Sequence, residues 1–132
     1  MKAKIVAAII AALVVVAPAL AADTSIGRTA LTLPDSTNAV TTFKSDAPKI
    51  VLHVEILDTS KGTKIGAEWI AEKTSAAPPN YRIDGSELTL DGEVEATFSL
   101  SKPDAGWPVG TYRVDLSVNG EKAKSVAFQV AE

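Results

Sequence analysis

Strand-like alternation is clearest in segment 106–130 of this 132-residue chain. Its first half carries an apolar side chain at every second position: Tyr112, Val114, Leu116 and Val118. A period of two is typical of a strand with one buried and one exposed face. Asn119 and Gly120 follow, a pair that tolerates positive φ at both centres of a type I′ turn. The return strand carries its apolar residues at its end: Val126, Phe128 and Val130. The segment therefore predicts a tight β-hairpin.

Shorter apolar or alternating runs precede the hairpin, and turn residues separate them. We predict strands at 25–33, 39–43, 49–58, 63–73, 81–84, 88–90 and 93–101. The first is expected at a sheet edge. The last is expected to point four side chains inward: Val94, Ala96, Phe98 and Leu100.

Two of these segments admit another interpretation. Good helix formers occupy much of segment 63–73, but its alternation is intact and Gly66 lies inside it, so we prefer a strand. Asp84-Gly85-Ser86 is predicted to be a turn that separates the short strands 81–84 and 88–90.

About seven or eight short strands, spaced roughly ten residues apart, indicate an all-β fold, either an antiparallel sandwich or a barrel. Two aromatic positions favour the immunoglobulin-like sandwich. Trp69 lies in the middle of a strand, where such folds bury a tryptophan between the sheets. Tyr112 follows Gly110 at a strand start, where a tyrosine-corner hydroxyl would bond upstream backbone. The chain has no cysteine, so it is not an antibody-type domain.

The first residues have the composition of a secretory signal peptide. Two lysines precede the apolar run 5–16, and small residues end the region at Ala19-Leu20-Ala21. We expect cleavage before Ala22, which makes 1–21 a signal peptide and 22–132 a single domain. The apolar run is short for a membrane anchor, so no membrane insertion is expected after cleavage. The mature domain is expected in the periplasm or outside the cell.

The charge of the chain limits its partners. The full chain has a net charge of −3, and removal of the two lysines in the signal leaves −5. An acidic domain disfavours nucleic acid and anionic membrane as partners. Without cysteine, its stability rests on packing.

Near the C-terminus, a proline-glycine loop leads into a tyrosine-containing strand, and the last strand has the form F-x-V. The residues are Pro103-Asp104-Ala105-Gly106-Trp107-Pro108-Val109-Gly110-Thr111-Tyr112-Arg113-Val114 and Phe128-Gln129-Val130. This ending resembles that of small exported bacterial immunoglobulin-like β-sandwich domains, which include adhesin-linked modules, periplasmic accessory domains and many uncharacterised members. The resemblance implies a fold, and no catalytic or binding residue can be carried over from it.

Residues that usually carry catalysis or bind metals are scarce. His53 is the only histidine and lies mid-strand without an identifiable acid partner, and no cysteine can serve as nucleophile. The same scarcity argues against zinc or copper, and segments 84–87 and 91–93 lack the pattern of a calcium loop. Glu93 and Glu95 share a strand face predicted to be solvated, which disfavours a glycosidase pair. We expect no enzyme activity, no metal and no cofactor.

Surface recognition is the function class that remains, with another protein as the expected partner. Three aromatic residues lie in or beside predicted loops: Trp107, Tyr81 and Phe43. An exposed tryptophan in a rigid loop can anchor a protein or stack on a sugar ring. The alternative is that Trp107 folds back and closes one end of the sandwich.

Three other functions stay open as rivals. A carbohydrate-binding accessory module would need Trp107 and Tyr81 to be exposed and coplanar. A protease inhibitor would need residues 74–80 to form a rigid, extended, protruding loop. A hydrolase is disfavoured by the lack of cysteine and by the lone histidine.

Overall fold

The structure, a computed structural model, describes residues 23–132. The expected signal peptide, residues 1–21, lies outside the described residues. Within residues 23–132, no helix has the length and apolar character needed to cross a membrane.

The described part of the chain contains eight strands. Their bounds are β1 Ser25–Thr32, β2 Thr42–Lys44, β3 Lys49–Leu57, β4 Lys64–Thr74, β5 Tyr81–Thr89, β6 Glu95–Ser101, β7 Gly110–Val118 and β8 Glu121–Ala131. A three-stranded sheet has the order β1-β3-β6, and a five-stranded sheet has the order β2-β8-β7-β4-β5. All strand pairs are antiparallel except β2 with β8, which is parallel. The chain is therefore a two-sheet sandwich, as predicted, with one parallel pair that the sequence did not indicate.

The core lies between the inner faces of the two sheets. From the three-stranded sheet, β3 buries every second side chain: Ile50, Leu52, Val54 and Ile56. From the five-stranded sheet, β7 buries Tyr112, Val114 and Leu116 in the same way. Trp69, in the middle of β4, is 2% exposed. Segment 63–73 is thus a strand rather than a helix, because its alternating side chains fill the space between two sheets.

The predicted hairpin is confirmed. Asn119 has a φ of 51° and Gly120 a φ of 87°, so both central positions of the turn are left-handed. Val118 pairs with Glu121 on either side of it. Two residues therefore reverse the chain between β7 and β8, as a type I′ turn requires.

The predicted turn at Asp84-Gly85-Ser86 is wrong. These residues lie inside β5, where they pair with Trp69, Glu68 and Ala67 of β4. The register of this pair shifts between Trp69 and Ile70, which marks a β-bulge. A bulge interrupts the alternation of side chains, and together with Gly85 it made one strand resemble two.

The predicted inward position of Val94 is also wrong. Val94 is 69% exposed, and β6 begins one residue later, at Glu95. The other three residues of that prediction face inward: Ala96 and Phe98 are buried, and Leu100 packs against the core.

Candidate binding surface

Trp107 lies in the loop between β6 and β7 and is 2% exposed. Its backbone N–H donates to the carbonyl oxygen of Ser45 at 2.9 Å, and its indole N–H donates to that of Ala47 at 2.8 Å. Gly106, with a φ of 89°, supplies the left-handed backbone that directs the loop inward. Trp107 is therefore not an exposed anchor: its side chain closes one end of the sandwich, as the alternative interpretation expects.

Phe43 is also buried, at 3% exposure, which contradicts its expected place on the surface. The parallel pairing of β2 with β8 sets Phe43 beside Val130, on the inner face. There its ring meets Phe128 edge to face at a centroid distance of 5.7 Å. Phe128 stacks on Tyr112 at 5.1 Å, and Tyr112 meets Trp107 at 6.2 Å. Two of the three candidate binding residues, Trp107 and Phe43, thus belong to one buried aromatic cluster.

Tyr112 forms the predicted tyrosine corner. Its hydroxyl donates to the carbonyl oxygen of Pro108, four residues upstream. Burial raises the pKa of Tyr112 to about 12, because the charged phenolate would lose its hydration in this environment.

Tyr81, the third expected site residue, is 51% exposed at the start of β5. Since Trp107 is buried, the structure does not bring the two side chains together in an exposed patch. Tyr81 on its own offers a partner one aromatic ring.

Segment 75–80 is turned rather than extended. An isolated bridge joins Thr74 to Ala77, and the N–H of Asn80 donates to the carbonyl oxygen of Glu72 at 3.0 Å. The Asn80 side chain also accepts a hydrogen bond from Arg113 Nη1 at 2.8 Å. The loop is therefore held close to the end of β4.

The outer face of the five-stranded sheet carries a polar cluster centred on Arg113. Its Nε donates to both carboxylate oxygens of Asp115, at 3.0 and 3.1 Å, and its Nη1 donates to Glu72 at 3.2 Å. Ser125 donates to Asp115 at 2.6 Å, and Lys122 lies 3.6 Å from the same carboxylate. The side chains of Arg113 and Asp115 are only 22% and 18% exposed, so the cluster is a fixed part of the surface.

Electrostatics within this cluster favour the charged forms. Burial by itself raises the pKa of Asp115, but hydrogen bonds from Ser125 and Arg113 and the charges of Arg113 and Lys122 lower it below its ordinary value. The hydrogen bond to Asp115 is the main reason that the pKa of Arg113 is raised. The pair therefore stays ionised at neutral pH.

Beside this cluster lies a shallow groove on the same face. Gly66 on β4 and Gly85 on β5 lie on its floor, where other residues would project side chains. The Arg82 guanidinium lies across Gly85 and is held by Glu68, with 3.3 Å between Nε and Oε2. Around the floor the groove is lined by Glu68, Arg82, Glu87, Asp115, Ser117 and Lys122. Its floor is backbone rather than side chain: Gly66 is buried beneath the Ser117 hydroxyl, and Gly85 is half-buried beneath Arg82. Charged side chains of both signs surround this floor.

Sequence reasoning did not identify this groove as a site. In the sequence, Gly66 only supports a strand, and Gly85 lies in a segment predicted to be a turn. The available signal was a glycine inside each of two strands, because glycine within a strand often marks close approach of a ligand or another backbone. The adjacency of β4 and β5, which places both glycines on one face, is a property of the tertiary structure.

The remaining candidate residues are His53 and Glu93. The Nε2 atom of half-buried His53 lies 3.1 Å from Thr32 Oγ1, its hydrogen-bond partner among the described residues. The Glu93 carboxylate accepts the N–H of Asp91 at 2.6 Å, and this bond lowers the pKa of Glu93. Residues 23–132 contain no cluster of three His, Asp or Glu side chains suited to a metal.

No described protein family matches this chain, and no curated protein matches it either. Among solved structures, an immunoglobulin-like protein from Pseudomonas aeruginosa matches with a TM-score of 0.60 and 14% identity, over 85% of this chain and 99% of that chain. The β-D-glucoside glucohydrolase from Trichoderma reesei matches with a TM-score of 0.45 and 14% identity, over 83% of this chain and 19% of that chain. The second similarity is too weak to support an argument. The first shows the fold alone: the chain has the predicted immunoglobulin-like β-sandwich fold.

Proposed function

We propose that this domain is an exported, non-enzymatic module that binds a protein partner in the periplasm or at the cell surface. The observation that carries the proposal is the groove over Gly66 and Gly85. Neither position places a side chain of its own in the groove. A partner that displaces the exposed Arg82 guanidinium, which lies over Gly85, can therefore bring its backbone or a small side chain close to the sheet.

The charges around the groove suit a protein better than other ligands. Glu68 and Arg82 are 54% and 58% exposed at the side chain, and Lys122 is 62% exposed. Alternating signs within a small area select partners by electrostatic complementarity. A surface of this kind does not provide the continuous positive potential that nucleic acid requires.

The ordering of side chains beside the groove is the second observation that supports the proposal. The Arg113–Asp115 cluster fixes side chains from β4, β7 and β8 beside the groove through hydrogen bonds of 2.6 to 3.2 Å. A surface ordered before binding loses little conformational entropy when the partner docks.

The rival functions have less support. A carbohydrate module was expected to present Trp107 and Tyr81 together, and Trp107 is buried. An inhibitor would need segment 74–80 to be extended and protruding, but this segment is turned and bonded to Glu72. Hydrolysis would need a partner for His53, whose ring bonds Thr32. Export rests on the lysines and the apolar run of the first residues, which are outside the described residues.

A photo-crosslinking experiment in the source cell tests this proposal. A photoreactive residue replaces Glu87 at the groove or, as a control, Thr37 in the exposed loop between β1 and β2. We expect one protein to crosslink through position 87 and not through position 37. Equal crosslinking at both positions, or none at position 87, would contradict the proposal.

Substitutions in the groove then test its floor. Gly66→Thr and Gly85→Thr place side chains on the floor without requiring a left-handed backbone, and they displace the Ser117 hydroxyl and the Arg82 guanidinium, respectively. We expect about a tenfold or greater loss of affinity for the crosslinked protein. Ala30→Thr, on the other sheet, is the matched control. Urea unfolding of each variant separates loss of binding from loss of folding.

A further inference from the structure

The two sheets have four edges, and three of them carry features that prevent pairing with another chain. β2 is only three residues long. β1 has a register shift between Ile26 and Thr29, and Lys124 donates to the carbonyl oxygen of Gly27 within that irregularity at 3.1 Å. β5 contains the bulge described above, and the Asp84 carboxylate accepts the N–H of Gly85 at 2.8 Å. Short strands, bulges and charged side chains are the usual protection of sheet edges.

The fourth edge, β6, is neither short nor bulged, and its only charged residue is Glu95. Its pairing with β3 is regular from Glu95 to Ser101, and the strand contains neither proline nor lysine. Val94, immediately before it, is 69% exposed. Within residues 23–132, no strand pairs with the side of β6 that faces away from β3.

The free backbone groups of this edge belong to the odd-numbered residues. Val94 accepts the N–H of Ile56 at 2.8 Å, and the N–H of Lys102 donates to Pro48 at 3.0 Å. The backbone N–H and C=O groups of the even-numbered residues at both ends therefore point toward β3. Because antiparallel bonding alternates along a strand, the N–H and C=O groups of the odd-numbered residues point outward: Glu95, Thr97, Ser99 and Ser101.

Charge is distributed unequally along this edge. At one end Glu95 lies directly opposite Glu55, a pair of like charges that destabilises an isolated sheet. At the other end Lys49 lies opposite Ser101, and Lys102 follows. Among the described residues, none of these four charged side chains forms an ion pair.

We propose that β6 pairs with β6 of a second copy of this chain, antiparallel and centred on Phe98. Thr97 then lies opposite Ser99 of the second copy, and Glu95 lies opposite its Ser101. Each such pair exchanges both N–H···O=C bonds. The acidic end of each copy meets the basic end of the other, so Glu55 and Glu95 gain lysines as neighbours, and the two three-stranded sheets become one.

The expected association is reversible. Pairing of one edge strand buries less surface than a standard protein interface, so we expect a Kd of about 10–100 µM. Sedimentation velocity from about 1 to about 500 µM, on protein produced from the full chain, measures it. A monomer at every concentration would overturn the proposal. It would do so even if this edge pairs with a different protein.

A charge exchange tests the direction of pairing. Glu95→Lys, and separately the double variant Lys49→Glu with Lys102→Glu, set like charges against each other in the homodimer. Each is expected to weaken self-association about tenfold or more. Mixing the two variants is expected to restore association, because both ends of the mixed dimer are complementary. If mixing fails to restore it while both variants remain folded, the antiparallel arrangement is wrong.

Two further variants test the edge itself. Ser99→Lys introduces a charge near the twofold axis, and Thr97→Pro removes an outward N–H without removing a bond to β3. Both are expected to give monomers, and Ser86→Lys on β5 is expected to leave association unchanged. A dimer that persists in folded Ser99→Lys protein, or that is lost equally in Ser86→Lys, would contradict the assignment to β6.

Discussion

At the scale of single residues, the position of Trp107 is decided by two hydrogen bonds and one aromatic contact. Its backbone and indole N–H groups donate to Ser45 and Ala47, and its ring meets Tyr112. A buried indole N–H needs an acceptor, and the segment after β2 provides one. Trp107 therefore joins the loop before β7 to the segment between β2 and β3.

Trp107→Ala is expected to lower the free energy of unfolding by about 3 to 5 kcal/mol, the usual cost of emptying a large aromatic site in a core. Tyr81→Ala removes an exposed ring and is expected to change it by less than about 0.5 kcal/mol. Urea unfolding followed by circular dichroism measures both values. Similar small changes in the two variants would show that Trp107 does not close the sandwich.

At the scale of elements, the β7–β8 hairpin combines a local signal with a tertiary anchor. Its turn residue Asn119 donates its N–H to the carbonyl oxygen of Lys64 at 2.8 Å and accepts the N–H of Lys64 through its side chain at 3.0 Å. The turn is thus bonded to the start of β4 as well as to its own strands.

Gly120→Ala tests the backbone requirement of this turn. The position has a φ of 87° and no neighbouring atom within 4 Å of an added Cβ, so the cost comes from the left-handed backbone alone. We expect a loss of about 1 to 2 kcal/mol in the free energy of unfolding. Ala123→Ser, an exposed change in β8, is the control, and an equally small effect of both would contradict a type I′ turn.

At the scale of the whole molecule, the Arg113 cluster joins β4, β7, β8 and the segment before β5 on one face. The strands of the five-stranded sheet are thereby connected by side chains as well as by backbone bonds. Because the cluster contains a half-buried carboxylate, the stability of the sheet depends on pH.

The lowered pKa of Asp115 sets the direction of this pH dependence. Its pKa is lower in the folded chain than in the unfolded chain, so the unfolded state takes up the proton first as the pH falls. The stabilisation is complete above the ordinary pKa of an aspartate and is lost as the pH falls through the folded value. We expect Asp115→Asn to be less stable than wild type at neutral pH and to lose less stability between neutral and acid pH.

Urea unfolding at a series of pH values measures this difference. Asp104→Asn, in the exposed loop after β6, controls for the removal of one negative charge. Parallel stability curves for wild type and Asp115→Asn would show that the cluster does not contribute in this way.

Much of the architecture followed from local patterns alone. The alternation around Trp69 and Tyr112 identified their strands, and Asn119-Gly120 identified the turn, because each of these features depends on neighbours within a few residues. The sandwich class followed from the number and spacing of the strands, and Tyr112 also indicated the tyrosine corner. The site could not be predicted in the same way.

The places of Trp107, Phe43 and Gly85 were decided by the tertiary structure. Trp107 is buried because segment 45–47 offers it acceptors, and Phe43 is buried because β2 pairs in parallel with β8. Gly85 lies beside Gly66 in the groove because β4 and β5 are neighbours in one sheet. The sequence by itself determined most of the strands, the hairpin and the fold class, since these depend on side-chain period and turn conformation. Tertiary structure decided which aromatic residues are covered and which surfaces remain open, because both depend on contacts between residues distant in the chain.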